Sequence, residues 1–285
     1  MSSVITSRRN PLVRRLRTLG RREGREQEQT LLLEGTHLLQ EALLVSPSQL
    51  ELIATEAWMD RHAQLISNLP TRASIQPVTQ EVLNAALSTV TPDGVATLMP
   101  LSHLPKPPPE PTFVLVLDRL QDPGNLGSLL RTALAAEVET VWLGSGADPL
   151  SPKALRSSAG ALLHLPHQRL GPGEAEALDQ LEARLHRLRT QGLQVVATLV
   201  PDASDAQRTV PYWELDWERP TALVLGSEGH GLNQRLQACC SHSVTLPHSE
   251  RVESLNVAAA AVPLLLERRR AVSYTHLTLP TNREV

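Results

Sequence analysis

The strongest constraint on this chain is a pair of short, unbroken apolar runs, "FVLVLD" at 113–118 and "TALVLG" at 221–226. A strand with one wet face alternates apolar and polar residues. A run that is apolar at nearly every position is buried on both faces, as strands are inside a parallel sheet. Helical patterns lie between and after these runs. "GNLGSLLRTALAAE" follows the first, then the strand "TVWLG" and the helix "SPKALRSSAGALL", with proline near its start. A long amphipathic helix, "GEAEALDQLEARLHRLRTQG", ends at Gly192 and leads into the strand "LQVVATLV". A short strand "SVTLP" and a helix after Ser254 close the series. Repeated β–α units of this kind imply a mostly parallel sheet covered by helices.

The clearest boundary is "LPKPPPEP", Leu104 to Pro111, where five prolines in eight residues read as a stiff extended connector. Before it lies a mixed α/β pattern the size of a small domain. Helices are expected over Pro11–Leu19, Thr36–Leu44 and "AQLISNL", and strands at "LELIAT" (50–55) and "GVATLM". The expected organisation is therefore an N-terminal domain over 1–104, a proline-rich linker over 105–111 and a second domain over 112–272. The last thirteen residues, "SYTHLTLPTNREV" (273–285), break the pattern and are read as a disordered or extraneous tail.

Net charge is only −3, but residues 1–25 hold eight arginines against one acid, Glu23, so that segment is +7. Such asymmetry fits a polyanion contacted through Arg8, Arg9, Arg14 and Arg15, and equally fits a solvated, arginine-faced helix. Lysine occurs only at Lys106 and Lys153. Arginine thus carries nearly all the positive charge, and its planar fork suits phosphate. No run approaches the roughly 18 apolar residues of a membrane span. The N-terminus lacks the apolar core of a secretory signal. Cys239 and Cys240, the two cysteines, are adjacent and offer no disulfide framework. A cytoplasmic protein with no membrane association is the expectation.

Three loops follow strands and precede helices, where α/β proteins place their ligands. In "DRLQDPGNLGSLLRTA", Asp122, Pro123 and Gly124 form a turn, Asn125 is placed to cap the helix, and Gly127 allows close approach. Arg131 lies six residues on, under two helical turns from Asn125. In "LVLGSEGHGL", Gly226, Gly229 and Gly231 flank Ser227, Glu228 and His230. The segment lacks the first glycine of G-x-S-x-G, which excludes a hydrolase elbow, and neither loop is G-x-G-x-x-G. In "LPHSERVESLNVAAA", a polar loop ends on Asn256 at the mouth of an alanine-rich helix, where a cap explains one such residue. His230, Cys239, Cys240, His242 and His248, with His164 and His167, have no recognised zinc spacing, so no metal is expected.

In this order and spacing, "DPGNLGSLLRTA", "LVLGSEGHGL" and "LPHSERVESLNVAAA" resemble the three signature motifs of the SpoU (TrmH-like) RNA ribose methyltransferases of the SPOUT superfamily. "SPKALRSSAGALLHLP" is similar to that family's arginine- and serine-bearing segment. "ITSRRNPLVRRLRTL", "LLLEG" and "TPDGVATL" look like its N-terminal substrate-binding domain, which has a ribosomal-protein-like α/β fold. The resemblance covers roughly residues 4–270.

The resemblance implies a parallel α/β sheet whose C-terminal segment threads a trefoil knot, a homodimer, and S-adenosylmethionine as cofactor. It implies a structured-RNA substrate, with rRNA favoured over tRNA. It places cofactor contacts at Thr198, Gly226, Leu246 and Leu255, and reaction residues at Asn125, Arg131, Glu228, Ser254 and Asn256. Arginine is effectively always protonated, so Arg131 is better read as an electrostatic clamp on the ribose hydroxyl and adjacent phosphate than as a base. Two positions depart from the family pattern, where His248 and Glu250 stand in place of an apolar residue and a glycine. Pro263 inside the last helix removes one backbone hydrogen bond. Aromatics at 2% of residues argue against RNA recognition by extensive base stacking and favour shape and phosphate contact by the N-terminal domain. A non-catalytic RNA-binding module and a small-molecule α/β enzyme are the competing readings; the second leaves the +7 segment unexplained.

Overall fold

A computed structural model of the chain describes residues 3–45, 49–199, 209–227, 229–249, 251–252 and 254–275. Glu228 and Glu250 lie outside the described residues, as do residues 276–285 of the expected tail.

The chain divides into two compact units. The first contains Met1–Lys106 together with Leu126–Arg131 and Asp148–His164. Its elements begin with α1 (Pro11–Leu19), α2 (Arg22–Glu28), β1 (Thr30–Glu34), α3 (Thr36–Val45) and β2 (Glu51–Ala54). They continue with α4 (Glu56–Arg61), α5 (Ala63–Ser67), β3 (Ser74–Pro77), α6 (Gln80–Ala86) and β4 (Val95–Pro100). The helix α1 forms where expected for local reasons. Asn10 accepts from the Leu12 amide at 2.9 Å, Pro11 occupies the first turn, and Val13, Leu16 and Leu19 are buried along one side. The sheet order is β1-β4-β2-β3, antiparallel except for the β2–β3 pair. The apolar side of α1 joins Leu32, Ile53, Val82 and Leu98 in a single core.

The segment 148–164 belongs to this unit through polar contacts as well as packing. Glu34, only 6% exposed, accepts from the Ser88 and Thr89 amides at 2.9 and 3.0 Å and from Arg156 Nη1 at 2.7 Å. Buried Arg25 donates to the Leu19 carbonyl at 3.1 Å and pairs with Asp148. Glu41 meets His164 Nε2 at 2.7 Å.

The second unit contains Pro107–Asn125, Thr132–Ala147 and Leu165–Val285. Residues 105–111 carry no helix or strand. The chain then forms β5 (Phe113–Leu117), α7 (Pro123–Ala135), β6 (Thr140–Leu143), α8 (Pro152–Ser157, which belongs to the first unit) and β7 (His167–Arg169). It continues with α9 (Glu174–Thr190), β8 (Gln194–Thr198), β9 (Thr209–Pro211), β10 (Thr221–Leu225), α10 (Gln234–Cys239), β11 (His242–Thr245) and α11 (Val257–Thr275). Its seven strands run in the order β7-β6-β5-β10-β8-β11-β9, every neighbouring pair parallel. The parallel sheet expected from the two-faced apolar runs is present, and β5 and β10 are buried at every position.

Three local expectations are corrected. The single helix expected over 151–163 stops at Ser157. Ala159 and Gly160 take left-handed φ values of 48° and 81°, and a 3₁₀ turn covers Ala161–Leu163. The last helix continues through Pro263 to Thr275, three residues into the stretch expected to be tail. The cap of α7 is Asp122 and not Asn125, because Asp122 Oδ1 already accepts from the Asn125 amide at 2.8 Å.

Candidate functional site

In an open parallel sheet, ligands gather beyond the carboxyl ends of the strands where the strand order changes direction. From β5 the chain steps outward to β6 and β7, then crosses to β8, and later inserts β10 between β5 and β8. The switch therefore falls at β5 and β10. A cavity of about 340 Å³ opens beyond β8, β10 and β11. Thr198 and Leu199 reach it from β8, Leu225 and Gly226 from β10, and Leu246 from β11. Ser254, Leu255 and Val257 complete it from the start of α11. Its size falls within the range of small-ligand sites, and its lining is mainly apolar, with polar groups from Thr198, Ser227, His248 and Ser254.

Two features make this a built site and not a packing defect. Thr198 Oγ1 is buried with no hydrogen-bond partner among the described residues. A buried polar atom left unpaired costs free energy, and a ligand with a polar edge removes that cost. Gly226 sits where no side chain fits, since a Cβ there would lie 2.3 Å from the Gly231 carbonyl carbon and the Leu232 nitrogen. That close approach folds the second loop back on itself, with the Ser227 and Gly231 amides and carbonyls exchanging bonds at 3.1 and 3.0 Å.

At the mouth, the first and third loops are joined by one hydrogen bond. Asn256 Oδ1 accepts from the Ala258 and Ala259 amides at 3.0 and 3.2 Å, so it caps α11. Its Nδ2 then donates to Asn125 Oδ1 at 3.1 Å. Asp122 takes the capping role at α7, and the Asn125 side-chain oxygen Oδ1 receives the bond from Asn256 instead. Asn256 lies between Leu255 and Val257, both of which line the cavity.

The second loop is anchored by a residue that motif reasoning missed. Asp118 closes β5 and is 3% exposed. Its Oδ2 accepts from the Asn233 amide at 3.1 Å and from Arg119 Nε at 3.2 Å. Burial pushes its carboxyl pKa up, and the Asn233 and Arg119 contacts only partly offset this. The signal in the sequence was an acid ending a run that is otherwise wholly apolar.

The remaining expected residues fall as follows. Thr198, Gly226, Leu246, Leu255 and Ser254 all line the cavity. His248, one of the two departures from the motif, lines it too, and its Nδ1 lies 2.8 Å from the Leu246 carbonyl. Sequence reading did not single out Leu199, Leu232, Val257 or Ala260, which also form its walls. Arg131 is exposed on α7. Arg8, Arg9 and Arg14 are exposed, whereas Arg15 bonds Glu28 at 2.8 Å and Glu51 at 3.1 Å. Among the described residues, no helix is long and apolar enough to cross a membrane.

A parallel α/β sheet with a polar-edged apolar cavity at its switch point is the arrangement of a small-ligand-binding α/β fold. Comparison with known proteins makes the class specific. Residues 112–265 match the SpoU rRNA Methylase family, and residues 10–97 match the MRM3-like substrate binding domain. An uncharacterised tRNA/rRNA methyltransferase of Synechocystis sp. is 45% identical over 93% of each chain. The 23S rRNA (guanosine(2553)-2'-O)-methyltransferase RlmP of Bacillus subtilis is 32% identical over 93% of this chain and 98% of its own. The crystal structure of an AdoMet-bound rRNA methyltransferase from Sinorhizobium meliloti superimposes with a TM-score of 0.76. It is 26% identical and covers 98% of this chain and 99% of that one. The chain belongs to the SpoU rRNA methylase family, as the three loop motifs implied.

Proposed function

We propose that this protein is an S-adenosylmethionine-dependent methyltransferase acting on a ribose 2′-hydroxyl of structured RNA, with rRNA favoured over tRNA. The carrying observation is the Asn256–Asn125 hydrogen bond at the mouth of a cavity whose buried Thr198 Oγ1 has no partner among the described residues. The rRNA preference is supported by the RlmP relative, which aligns along nearly its whole length, accessory domain included. The rival of a non-catalytic RNA-binding module explains neither the cavity nor the joined loops.

In this reading Thr198 and the backbone around Gly226 hold the polar edge of the cofactor, and Leu246 and Leu255 enclose it. Bound there, S-adenosylmethionine supplies an electrophilic sulfonium methyl group. The chain's own task is to present a weak nucleophile correctly and to favour loss of its proton. Arg131, a permanently charged guanidinium on an exposed helix face, stabilises the developing alkoxide and grips the neighbouring phosphate. Asn125 and Asn256 fix each other and hold the acceptor side of the cavity in one geometry. Ser254 adds a hydroxyl at the rim, and Glu228 is assigned a bracing role in the second loop. The N-terminal unit grips RNA through Arg8, Arg9 and Arg14, with Arg15 ordering that surface.

The trefoil threading of the C-terminal segment, a homodimer and a cytoplasmic location belong to the same proposal. The dimer is supported by an exposed apolar stripe on α11, where Ala259, Val262 and Leu266 follow one another at helical spacing. The deciding experiment incubates the protein with labelled S-adenosylmethionine and either rRNA or tRNA and maps the 2′-O-methylated positions. Transfer to rRNA is expected. Transfer to tRNA alone would move the substrate to the alternative, and cofactor binding without transfer to any RNA would favour the binding module. Replacing Arg131 by Ala is expected to lower transfer by roughly 100–1,000-fold while calorimetry shows cofactor binding unchanged. Loss of cofactor binding in that variant would remove the clamp role.

A further inference from the structure

One cluster of donor groups lies in the second unit and has no part in the methyl-transfer reading. Glu182 and His186 stand four residues apart on α9, so their side chains share one face of that helix. Cys239 is the last residue of α10, which packs on that face. A carboxylate oxygen, an imidazole nitrogen and the thiolate-forming sulfur all lie within 4.8 Å of one another. Cys239 Sγ is 3.6 Å from His186 Nε2. Two ligands of one tetrahedral zinc, at about 2.3 Å for sulfur and 2.0–2.1 Å for nitrogen, stand about 3.5 Å apart. The pair is already at that separation.

We propose that Cys239, His186 and Glu182 form a binding site for a divalent cation of the zinc class, with water in the fourth position. Sulfur, imidazole and carboxylate are a borderline-soft set, which selects zinc over magnesium or calcium. The burial pattern suits a site reached from solvent, since Cys239 is buried, Glu182 half-buried and His186 exposed. Arg235 now pairs with Glu182 and also holds Asp179 at 2.8 Å. A cation taking the Glu182 oxygen leaves that arginine on Asp179. The thiol proton, at present directed to the Arg235 carbonyl 3.2 Å away, passes to solvent as the sulfur–metal bond forms. Cys240 is not a ligand, because among the described residues the donor atoms that lie within 4.8 Å of one another come from Glu182, His186 and Cys239.

The site ties the middle of α9 to the end of α10, two residues before β11, and β11 ends next to the cavity residue Leu246. Metal there braces the strand that carries the third loop. The test uses the metal-free, untagged full-length protein titrated with Zn²⁺ and, as a spectroscopic reporter, with Co²⁺. One equivalent per chain is expected, together with thiolate-to-cobalt charge-transfer absorption and a rise in Tm on adding zinc. Cys239→Ser and His186→Ala should weaken binding by at least the roughly 10–100-fold that loss of even an outer-shell partner costs, and Cys240→Ser should not. His186 is exposed, so its variant carries the test even if Cys239→Ser fails to fold. Absence of the charge-transfer band in the wild type, or a site that survives His186→Ala, would overturn the proposal.

Discussion

The arginine-rich start of the chain and the cavity beyond β8, β10 and β11 treat polar groups in opposite ways. Along α1 and α2 much of the charge is balanced locally. Arg15 bonds Glu28 and Glu51, Arg22 bonds Glu26, and buried Arg25 pairs with Asp148. Burial alone would lower the Arg15 pKa, and the hydrogen bonds to the two glutamates outweigh it, so the guanidinium is held more firmly charged. Among the described residues that line the cavity none carries a permanent charge, yet Thr198 Oγ1 has no hydrogen-bond partner among the described residues and two amide side chains are joined at the mouth. A count of charges therefore overstates what the first region offers a ligand and understates what the second offers. In the proposed reading the cavity is marked by its enclosed shape, its unpaired threonine hydroxyl and its joined amides, and not by charge density.

The sharpest way to test that contrast is at the cavity. Gly226→Ala places a methyl group 2.3 Å from backbone atoms of Gly231 and Leu232, which must move. Cofactor affinity should fall about 100-fold, equivalent to ~2.7 kcal/mol. Gly229→Ala is the comparison, because Gly229 also lines the cavity but a Cβ there meets no atom of the described residues within 4 Å, so it adds a methyl group without forcing the backbone to move. Equal cofactor affinities in the two variants, by calorimetry, would show that the close turn at Gly226 does not shape the site.

Asn256 combines a structural and a functional claim, and two substitutions separate them. Asn256→Asp keeps an oxygen for the Ala258 and Ala259 amides, so stability should change by only a few tenths of a kcal/mol. It removes the donor to Asn125 and sets two acceptors facing each other. Transfer should slow about tenfold, the cost of one lost hydrogen bond of ~1.4 kcal/mol. Asn256→Ala should cost ~1 kcal/mol of stability besides. A fully active Asp variant would reduce Asn256 to a helix cap.

At the other end of the contrast, single alanine replacements of Arg8, Arg9 and Arg14 should weaken RNA binding. Each should reduce the slope of log affinity against log salt by about 1 if it contacts a phosphate. Arg15→Ala should change that slope less and lower stability slightly, since its pairs with Glu28 and Glu51 are part-exposed. If Arg15→Ala proved the most damaging to binding, local neutralisation would be the wrong account of that helix.

What was legible in the sequence follows the same division. Strands buried on both faces announce themselves, and β5, β6, β8 and β10 lie where the apolar runs placed them. The three-residue strands "HQR" and "TVP" are too short to show any period, and α10, with six residues, is too short to carry a helical stripe. The insertion of β10 between β5 and β8 is a long-range pairing that no local pattern encodes. In the site, the loops and both asparagines were legible because helix starts after buried strands are few. Their division of labour was not, because Asp122 and Asn125 are both good caps and only geometry chooses between them. The Glu182–His186–Cys239 cluster was invisible to spacing rules, since 53 residues separate its histidine from its cysteine.

The smallest expected effect concerns Asp118, the one acid buried at the end of β5. Its pKa is raised in the folded protein, chiefly by burial, so the folded state holds that proton more tightly than the unfolded chain. Between the ordinary aspartate pKa and the raised one, the folded state binds more protons. Its share of stability therefore falls as pH rises through that window and stays at the lower level above it. This is opposite to Glu267, whose pKa is lowered by its hydrogen bond to Arg270 and which loses stability as pH falls. Asp118→Asn keeps an acceptor for the Asn233 amide and removes the titration. Urea denaturation of both proteins across the acid range should show the wild type losing ground to the variant as pH increases. The opposite trend would mean that Arg119 and the Asn233 amide outweigh burial, and that Asp118 anchors the second loop as a stabilised carboxylate.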